Sequence, residues 1–145
     1  MPYVLNTLTP NLVVSDVERS IAFNRDVLGF TVTATVPDAA PYAFASLRHG
    51  AVEVFLNAPE AASAEYPLFG ERPIGGTLTL FIGVSDVVAA HDALKDRVTI
   101  VMPFEKKWYG VTEFAFEDPD GYVITFAQRE QSQNAETPND ASTTA

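Results

Sequence analysis

The chain has 145 residues, which suits one domain of ordinary size and excludes a second full one. Hydrophobic residues make up 47% of the sequence and charged residues only 19%, so the chain can bury a core and lies far from the composition of disordered proteins. The formal net charge of −10 repels nucleic acid and anionic membrane surfaces, and the lack of cysteine excludes disulfides and thiolate chemistry.

The first half of the chain has the pattern of one strand, one helix and three further short strands. Ser15 and Glu18 have the spacing of a capping box, and Gly29 follows the last apolar position of the helical pattern. His49 and Gly50 stand where a hairpin turn is required. The pattern predicts a strand near 8–14, a helix near 16–28 and strands near 30–36, 42–48 and 51–57.

The second half repeats this plan. The sequence Val-Ser-Asp-Val at 14–17 recurs at 84–87, again between an apolar strand and a helical pattern. Asp118 and Asp120 are expected to shape a hairpin turn, because aspartate accepts hydrogen bonds from the backbone two residues on. The pattern predicts a strand near 77–84, a helix near 86–96 and strands near 97–101, 110–117 and 122–127.

The segments outside these patterns define the domain organisation. Two βαβββ modules are predicted, at about 4–57 and 77–128, with the proline- and glycine-bearing stretch 58–76 as their connection. Residues 130–145 hold no aromatic residue and no aliphatic one larger than alanine, so a disordered tail is expected after a single domain at 1–129. The opening MPYVLNTLTP has no basic start and no apolar run of signal length, which favours a soluble, cytoplasmic protein.

Strand alternation predicts which side chains face the helices. In the strand 110–117, Phe114 and Phe116 face the helices, and Glu113 lies on the opposite face. In the strand 51–57, Glu53 and Phe55 are likewise directed away from the helices. The same rule places on that second face Thr79, Phe81 and Thr125. A second, more polar sheet face is therefore predicted in each module.

Several short motifs stand in register in the two modules. The first module carries Thr9-Pro10-Asn11-Leu12 and Arg25-Asp26-Val27-Leu28-Gly29-Phe30, and the second closes with Asp118-Pro119-Asp120-Gly121-Tyr122. Over about residues 4–128 the chain resembles the glyoxalase, bleomycin-resistance protein and extradiol dioxygenase superfamily, the vicinal oxygen chelate fold. The resemblance implies an α+β fold of two paired βαβββ modules whose curved sheets form a cavity, usually within a homodimer.

Metal-dependent members of this family chelate a divalent ion with histidine or glutamate from four cavity-facing positions. Carried over by the resemblance, the first-strand positions are Thr9 and Thr79, and the eighth-strand position is Thr125. The fourth-strand position is Glu53 by alternation, or one of the two following residues after a slip of register. Three hydroxyls and at most one carboxylate do not suit a first-row metal, so we expect no metal and no cofactor.

The resemblance is nearest to the metal-free branch, in which bleomycin-resistance proteins sequester a cationic drug without changing it. It implies metal-independent binding of an aromatic or cationic small molecule, such as an antibiotic. Trp108 and Tyr109 are predicted to stack on the ligand, and Glu53 or Glu113 to meet its charge. The predicted ligand-binding residues are Thr9, Asn11, Glu53, Phe55, Thr79, Phe81, Trp108, Tyr109, Glu113 and Thr125.

Other interpretations stay open. An enzyme of the same superfamily, a lyase, isomerase or dioxygenase, would use Glu53 as acid or base without metal, or would hold an ion through other ligands. Lys106 and Lys107 would clamp an anionic ligand, although paired lysines in a loop are more often solvated. His49 and His91, at a turn and inside a helix, are expected to face solvent rather than a metal.

Overall fold

The computed structural model describes residues 2–130, so the predicted tail lies outside the described residues except for Glu130. Two units are distinguished within it. The first comprises the chain up to Leu78 together with Glu117–Val123, and the second comprises Thr79–Phe116 and the chain from Ile124 onward. Within residues 2–130, no helix is both long and apolar enough to cross a membrane.

The first unit contains a four-stranded sheet in the order β1-β4-β3-β2. Strand β1 runs parallel to β4, with Asn11 opposite Phe55, and the other neighbours are antiparallel. The elements are β1 (Asn11–Val13), α1 (Val17–Ala22), β2 (Thr31–Val36), β3 (Phe44–His49), β4 (Val52–Asn57) and α2 (Pro59–Glu65). This is the predicted βαβββ module, followed by a helix in the connection that the sequence did not predict.

The second sheet repeats the arrangement, in the order β5-β8-β7-β6. Its elements are β5 (Thr79–Gly83), α3 (Val87–Leu94), β6 (Thr99–Lys106), β7 (Val111–Glu117) and β8 (Val123–Arg129). Both sheets thus have the order first, fourth, third and second strand of a βαβββ module. The predicted α+β class and the two-module plan are confirmed.

The N-cap of the helix that follows β1 lies one residue later than predicted, and the helix begins at Val17. Asp16 is the N-cap, and its side chain accepts a hydrogen bond from the backbone N–H of Arg19 at 3.1 Å. The corresponding Asp86 caps α3 by accepting from Ala89 at 3.0 Å. The predicted capping box at Ser15 is wrong, because the Ser15 hydroxyl donates to the Asp120 carboxylate at 2.6 Å instead.

The predicted helix at 16–28 changes its winding partway. After α1 the segment Phe23–Val27 is a π-helix, and the backbone N–H of Leu28 reaches the carbonyl of Phe23 at 3.3 Å. Buried Asn24 donates its side-chain amide to the carbonyl of Ser20 at 2.8 Å. The amide therefore supplies a donor inside the core, where an unpaired polar group is costly.

The strand boundaries differ from the prediction at two prolines. Strand β1 starts only at Asn11, because Pro10 has no N–H for the ladder, although its carbonyl accepts from Phe55 at 2.9 Å. Strand β6 instead continues through Pro103 to Lys106. It lies at the edge of its sheet, where a missing donor is tolerated.

The predicted faces of β7 and β8 are confirmed by ring contacts. Phe114 and Phe116 are fully buried, and the ring of Phe126 lies 5.8 and 5.2 Å from theirs. His91 of α3 contacts Phe114 at 5.0 Å and Phe104 at 4.8 Å. The helix therefore covers this aromatic face, and the prediction that His91 faces solvent is wrong because the ring packs between two phenylalanines.

The other histidine remains exposed, as predicted, but it is not free of contacts. The Nδ1 atom of His49 lies 3.0 Å from the carbonyl oxygen of Leu28, and its ring meets the edge of Phe30 at 5.6 Å. Both contacts are structural, so His49 contributes to the packing of the first module rather than to a metal site.

The turn between β7 and β8 is held inside the first unit. One oxygen of Asp118 accepts from the backbone N–H of Asp120 and of Tyr122, each at 2.9 Å, as expected of a turn residue. Asp120 binds the chain beyond its own turn, because its side chain accepts a hydrogen bond from the backbone N–H of Ser15 at 3.1 Å in addition to that from the Ser15 hydroxyl. The Tyr122 hydroxyl donates to the carbonyl of Val13 at 2.7 Å. Burial raises the pKa of Asp118 and of Tyr122.

Candidate ligand-binding site

The positions that correspond to metal ligands form two separate pairs, one in each unit. In the first unit the Thr9 hydroxyl donates to Oε1 of Glu53 at 3.4 Å. In the second unit the hydroxyls of Thr79 and Thr125 lie 2.7 Å apart. Continued two residues before Asn11 and Phe55, the β1–β4 register brings Thr9 beside Glu53, in agreement with their hydrogen bond.

The carboxylate of Glu53 has a partner on each oxygen. Its Oε2 lies 3.3 Å from Nη2 of Arg48, the residue directly opposite it in the β3–β4 ladder, while Oε1 accepts from Thr9. The Glu53 side chain is 31% exposed. The positive charge of Arg48 therefore offsets the charge of Glu53, which weakens Glu53 both as a binder of cations and as a general base.

Neither pair suits the divalent ion that metal-dependent members of the fold family hold. The first offers one hydroxyl and one carboxylate that is already ion-paired with Arg48. The second offers two hydroxyls that bond to each other. Within residues 2–130 there is also no group of three histidine, cysteine, aspartate or glutamate side chains arranged to hold an ion. First-row metals need imidazole, thiolate or several carboxylates, so these donor sets do not fit one.

Glu113 in β7 differs sharply from Glu53. It is only 4% exposed, and the Tyr109 hydroxyl donates to its Oε1 at 2.7 Å. Its Oε2 is buried and has no hydrogen-bond partner among the described residues. A buried acceptor is nearly always paired, so an orphaned carboxylate oxygen indicates a donor from outside the described residues.

The phenol of Tyr109 is a stable donor in this pair. Its pKa is raised above the ordinary value, first by the hydrogen bond to Glu113, then by burial and by the negative charges of Glu113 and Glu105. The raised pKa keeps the hydroxyl protonated at neutral pH. The hydroxyl therefore acts as the donor and Oε1 of Glu113 as the acceptor.

Tyr109 lies in the loop between β6 and β7, whose main chain is itself closed by hydrogen bonds. The N–H of Lys107 bonds the carbonyl of Val111 at 2.7 Å, and the N–H of Gly110 bonds the carbonyl of Lys107 at 3.1 Å. Gly110 has a φ of 83°, which an L side chain rarely adopts. Trp108 is 93% exposed, and its ring meets the Tyr109 ring edge-on at 5.2 Å.

The two lysines of this loop are ion-paired with carboxylates of the same unit. Nζ of Lys106 lies 3.1 Å from Glu130, and Nζ of Lys107 lies 3.3 Å from Glu105. The exposed rings of the loop therefore stand among balanced charges. This pairing argues against the anion clamp that the lysine pair suggested.

The remaining predicted residues are placed as follows. Phe81 in β5 is 61% exposed, on the face of the second sheet that alternation assigns to Thr79. In the first unit, Phe55 packs on Phe44 with ring centroids 5.3 Å apart, and Asn11 accepts a hydrogen bond from Asn57. Asn11 and Phe55 therefore make contacts within their own sheet.

Two pairings were missed by reasoning from the sequence. Arg48 and Glu53 stand symmetrically about a turn centred between Gly50 and Ala51, so placing the turn there would have paired them. The contact of Tyr109 with Glu113, four residues apart, depends on the loop conformation and has no comparable periodic signal.

Solved structures share this fold at low sequence identity. The antibiotic binding protein TnmS3 from Streptomyces sp. CB03234 superposes with a TM-score of 0.66 at 23% identity, over 88% of this chain and 98% of TnmS3. TioX from Micromonospora sp. ML1 gives 0.68 at 18%, over 86% and 98%. A glyoxalase/bleomycin resistance protein/dioxygenase from Nocardioides gives 0.71 at 18%, over 97% and 93%. No curated protein sequence matches the chain.

The family model of the Glyoxalase/Bleomycin resistance protein/Dioxygenase superfamily matches residues 4–126, which span both βαβββ modules. The order of strands in the two sheets agrees with that match. The resemblance seen in the sequence motifs is therefore confirmed, and the chain belongs to the glyoxalase, bleomycin resistance protein and dioxygenase superfamily.

Proposed function

We propose that this protein binds an aromatic, cationic small molecule reversibly and without a metal ion. The proposed site lies in the second unit, on the polar sheet face to which strand alternation assigns Glu113. The observation that carries the proposal is the buried Oε2 of Glu113, which lacks a partner within the described chain. A ligand N–H⁺ would supply both the missing donor and the missing counter-charge. Glu113 thereby takes the role that the sequence divided between Glu53 and Glu113.

The energetics favour such a ligand. A buried acceptor that stays unsatisfied costs about 1–3 kcal/mol, and an ionised one more. Since Oε2 of Glu113 is enclosed in the free chain, binding requires a local opening, after which the cation replaces the missing partner. A cation that pairs with this oxygen relieves the desolvation penalty, whereas a neutral apolar ligand would not.

The rings beside Glu113 provide the aromatic part of the site. Trp108 and Tyr109 are 93% and 46% exposed, and both lie in the loop that carries the Glu113 hydrogen bond. Stacking of aromatic rings contributes roughly 0.5–1.5 kcal/mol in addition to the burial of their apolar surface, and a desolvated cation over a ring contributes about 2 kcal/mol. The net charge of −10 would speed the association of a cation, an effect that salt screens.

The similarity to TnmS3, an antibiotic binding protein, supports small-molecule binding through the shared fold.

The poor fit of the two threonine-bearing pairs to a divalent ion supports metal independence. Elemental analysis of protein purified without chelator is expected to find well under one equivalent of nickel, zinc, iron or manganese. A stoichiometric ion lost on replacing Glu53 would contradict this part of the proposal.

A homodimer is part of the same proposal. The segment before β1 leaves large apolar side chains exposed, and a second chain is a natural cover for them. These side chains are Tyr3 (61%), Val4 (79%), Leu5 (86%) and Leu8 (89%). Light scattering at micromolar concentration is expected to give twice the chain mass of 15.7 kDa. A strict monomer would refute the dimer and leave the fold untouched.

The cytoplasmic location stays a prediction.

The enzyme alternative loses its candidate acid or base. Glu53 is held by Arg48 and Thr9, so a proton transfer would have to compete with an ion pair and a hydrogen bond. Turnover in a metabolite screen that falls with Glu53→Gln would revive this alternative.

The test is a titration of planar aromatic cations, followed by the fluorescence of Trp108, the only tryptophan of the chain. Glu113→Gln keeps an acceptor for Tyr109 and removes the charge, so affinity should fall by about tenfold or more. Glu53→Gln is the matched control and should bind as the parent does. Unchanged emission and an unchanged melting temperature across the panel would refute the proposal.

A further inference from the structure

The two oxygens of Glu113 are not equivalent, and this difference sets the kind of cation that the site accepts. We propose that the site selects a cation offering a single N–H, such as a tertiary ammonium, over a forked amidinium or guanidinium, and that Tyr109 determines this preference. The inference rests on the proposed function, because it describes how the same carboxylate meets its ligand.

The geometry of the carboxylate carries the first step. A guanidinium or amidinium binds most strongly through two parallel N–H bonds, one to each oxygen. In Glu113 the Tyr109 hydroxyl already donates to Oε1 at 2.7 Å, whereas Oε2 has no hydrogen-bond partner within residues 2–130. A forked cation must share Oε1 with the phenol or displace it, whereas a single N–H donor needs Oε2 alone.

The second step is that Tyr109 stays bonded to Glu113. Its hydroxyl donates to Oε1 over a short distance of 2.7 Å, and this bond is the first cause of its raised pKa, so the hydroxyl remains a donor. The loop that carries it is closed by main-chain bonds between Lys107 and Val111 and between Gly110 and Lys107. A ligand that displaced the phenol would first have to break the hydrogen bond between Tyr109 and Glu113 before it formed its own bond to Oε1.

The chain itself shows both kinds of carboxylate pairing. Glu53 receives the Thr9 hydroxyl on one oxygen, and Arg48 approaches its other oxygen with Nη2 at 3.3 Å. Arg25, in contrast, forms the full fork with Asp26, through Nε at 2.8 Å and Nη2 at 3.1 Å. Arg48 thus meets the hydroxyl-bearing carboxylate at the oxygen that the hydroxyl leaves free, which is the arrangement expected at Glu113.

The experiment compares three ligands that share a naphthalene ring: naphthylmethyl-dimethylammonium with one N–H, 2-naphthamidinium with a fork, and neutral 2-naphthalenemethanol. Calorimetry measures their affinities for the full chain, for Tyr109→Phe and for the control Tyr66→Phe, which removes a hydroxyl from a side chain of equal exposure, 46%. The parent protein should bind the ammonium about tenfold more tightly than the amidinium, the effect of one good hydrogen bond.

The variants separate the outcomes. Tyr109→Phe keeps the ring but frees Oε1, so it should raise amidinium affinity and bring the two cations to within about twofold of each other, while Tyr66→Phe should change neither. Equal binding of both cations by the parent protein, or an equal change of both in Tyr109→Phe, would overturn the inference and leave the proposed function standing. Failure of both cations to bind better than the neutral alcohol would end the proposed function, and the inference with it.

Discussion

Replacing Tyr122 by phenylalanine tests how the turn after β7 is fastened within the first unit. The ring is 6% exposed, and its hydroxyl donates to the Val13 carbonyl at 2.7 Å. Tyr122→Phe leaves the ring in place and removes the hydroxyl, with its bond to Val13 and its backbone hydrogen bond with Gly75, which should lower the free energy of unfolding by about 1–2 kcal/mol. At roughly 0.3 kcal/mol per kelvin of unfolding entropy for a chain of this size, the melting temperature should fall by roughly 3–7 °C.

The same variant should also change the pH dependence of stability. Burial raises the pKa of Tyr122 above 10.0, so in alkali the unfolded chain releases this proton before the folded chain does. The stability that the raised pKa supplies is complete below pH 10 and is lost as the pH rises towards the folded pKa. Phenylalanine has no such proton, so the difference in stability between parent and Tyr122→Phe should shrink above pH 10.

Thermal denaturation at pH 7 measures the melting temperature, and urea denaturation between pH 7 and 11 measures the free energy of unfolding, both followed by circular dichroism. Tyr66→Phe is the control, because its hydroxyl belongs to a side chain that is 46% exposed, and it should melt within about 1 °C of the parent. A Tyr122→Phe variant as stable as the parent at pH 7, or a stability difference that does not change with pH, would refute the reasoning.

Two further substitutions concern the same turn. Burial raises the pKa of Asp118, so its ionisation opposes folding. Asp118→Asn keeps the acceptor oxygen and should gain stability relative to the parent as the pH rises above 3.8 in denaturation experiments. A stability difference that is equal at every pH would contradict this prediction. Gly75 has a φ of 105°, and a Cβ there would lie 2.9 Å from the carbonyl oxygen of Asp120. Gly75→Ala should therefore cost roughly 1–3 kcal/mol by urea denaturation. Its cost should exceed that of Gly76→Ala, where φ is 55° and the nearest atom is 3.8 Å away; equal costs would show that the contact with Asp120 is unimportant.

Local periodicity was sufficient to predict the order of strands and helices in each module. The repeated Val-Ser-Asp-Val motif marked the start of each helix to within a residue, because a polar N-cap after an apolar strand is a local signal. The face of Phe114 and Phe116 followed from the two-residue period of a strand, which depends on no distant contact. The order of the elements and the side of β7 that faces the helix could therefore be predicted from the sequence.

The boundaries of elements were less predictable where competing partners decide them. Ser15 was a plausible cap by spacing, yet its hydroxyl is taken by Asp120, 105 residues further along the chain. The π-helical winding at Phe23–Val27 contains the buried Asn24, whose side-chain amide donates to the carbonyl of Ser20. Neither choice leaves a mark on the periodicity of apolar residues.

The chemical roles of the two glutamates show the same division. Alternation assigned both Glu53 and Glu113 to the polar sheet faces, because that assignment needs only the strand period. Which of them is ion-paired depends on the side chains that tertiary structure places beside them: Arg48 beside Glu53 and, among residues 2–130, the Tyr109 hydroxyl as the hydrogen-bond donor to Glu113. Charge compensation acts over a few ångströms in space and not along the sequence, so the sequence determined the candidates and the folded structure decided which one is left with an unpaired oxygen.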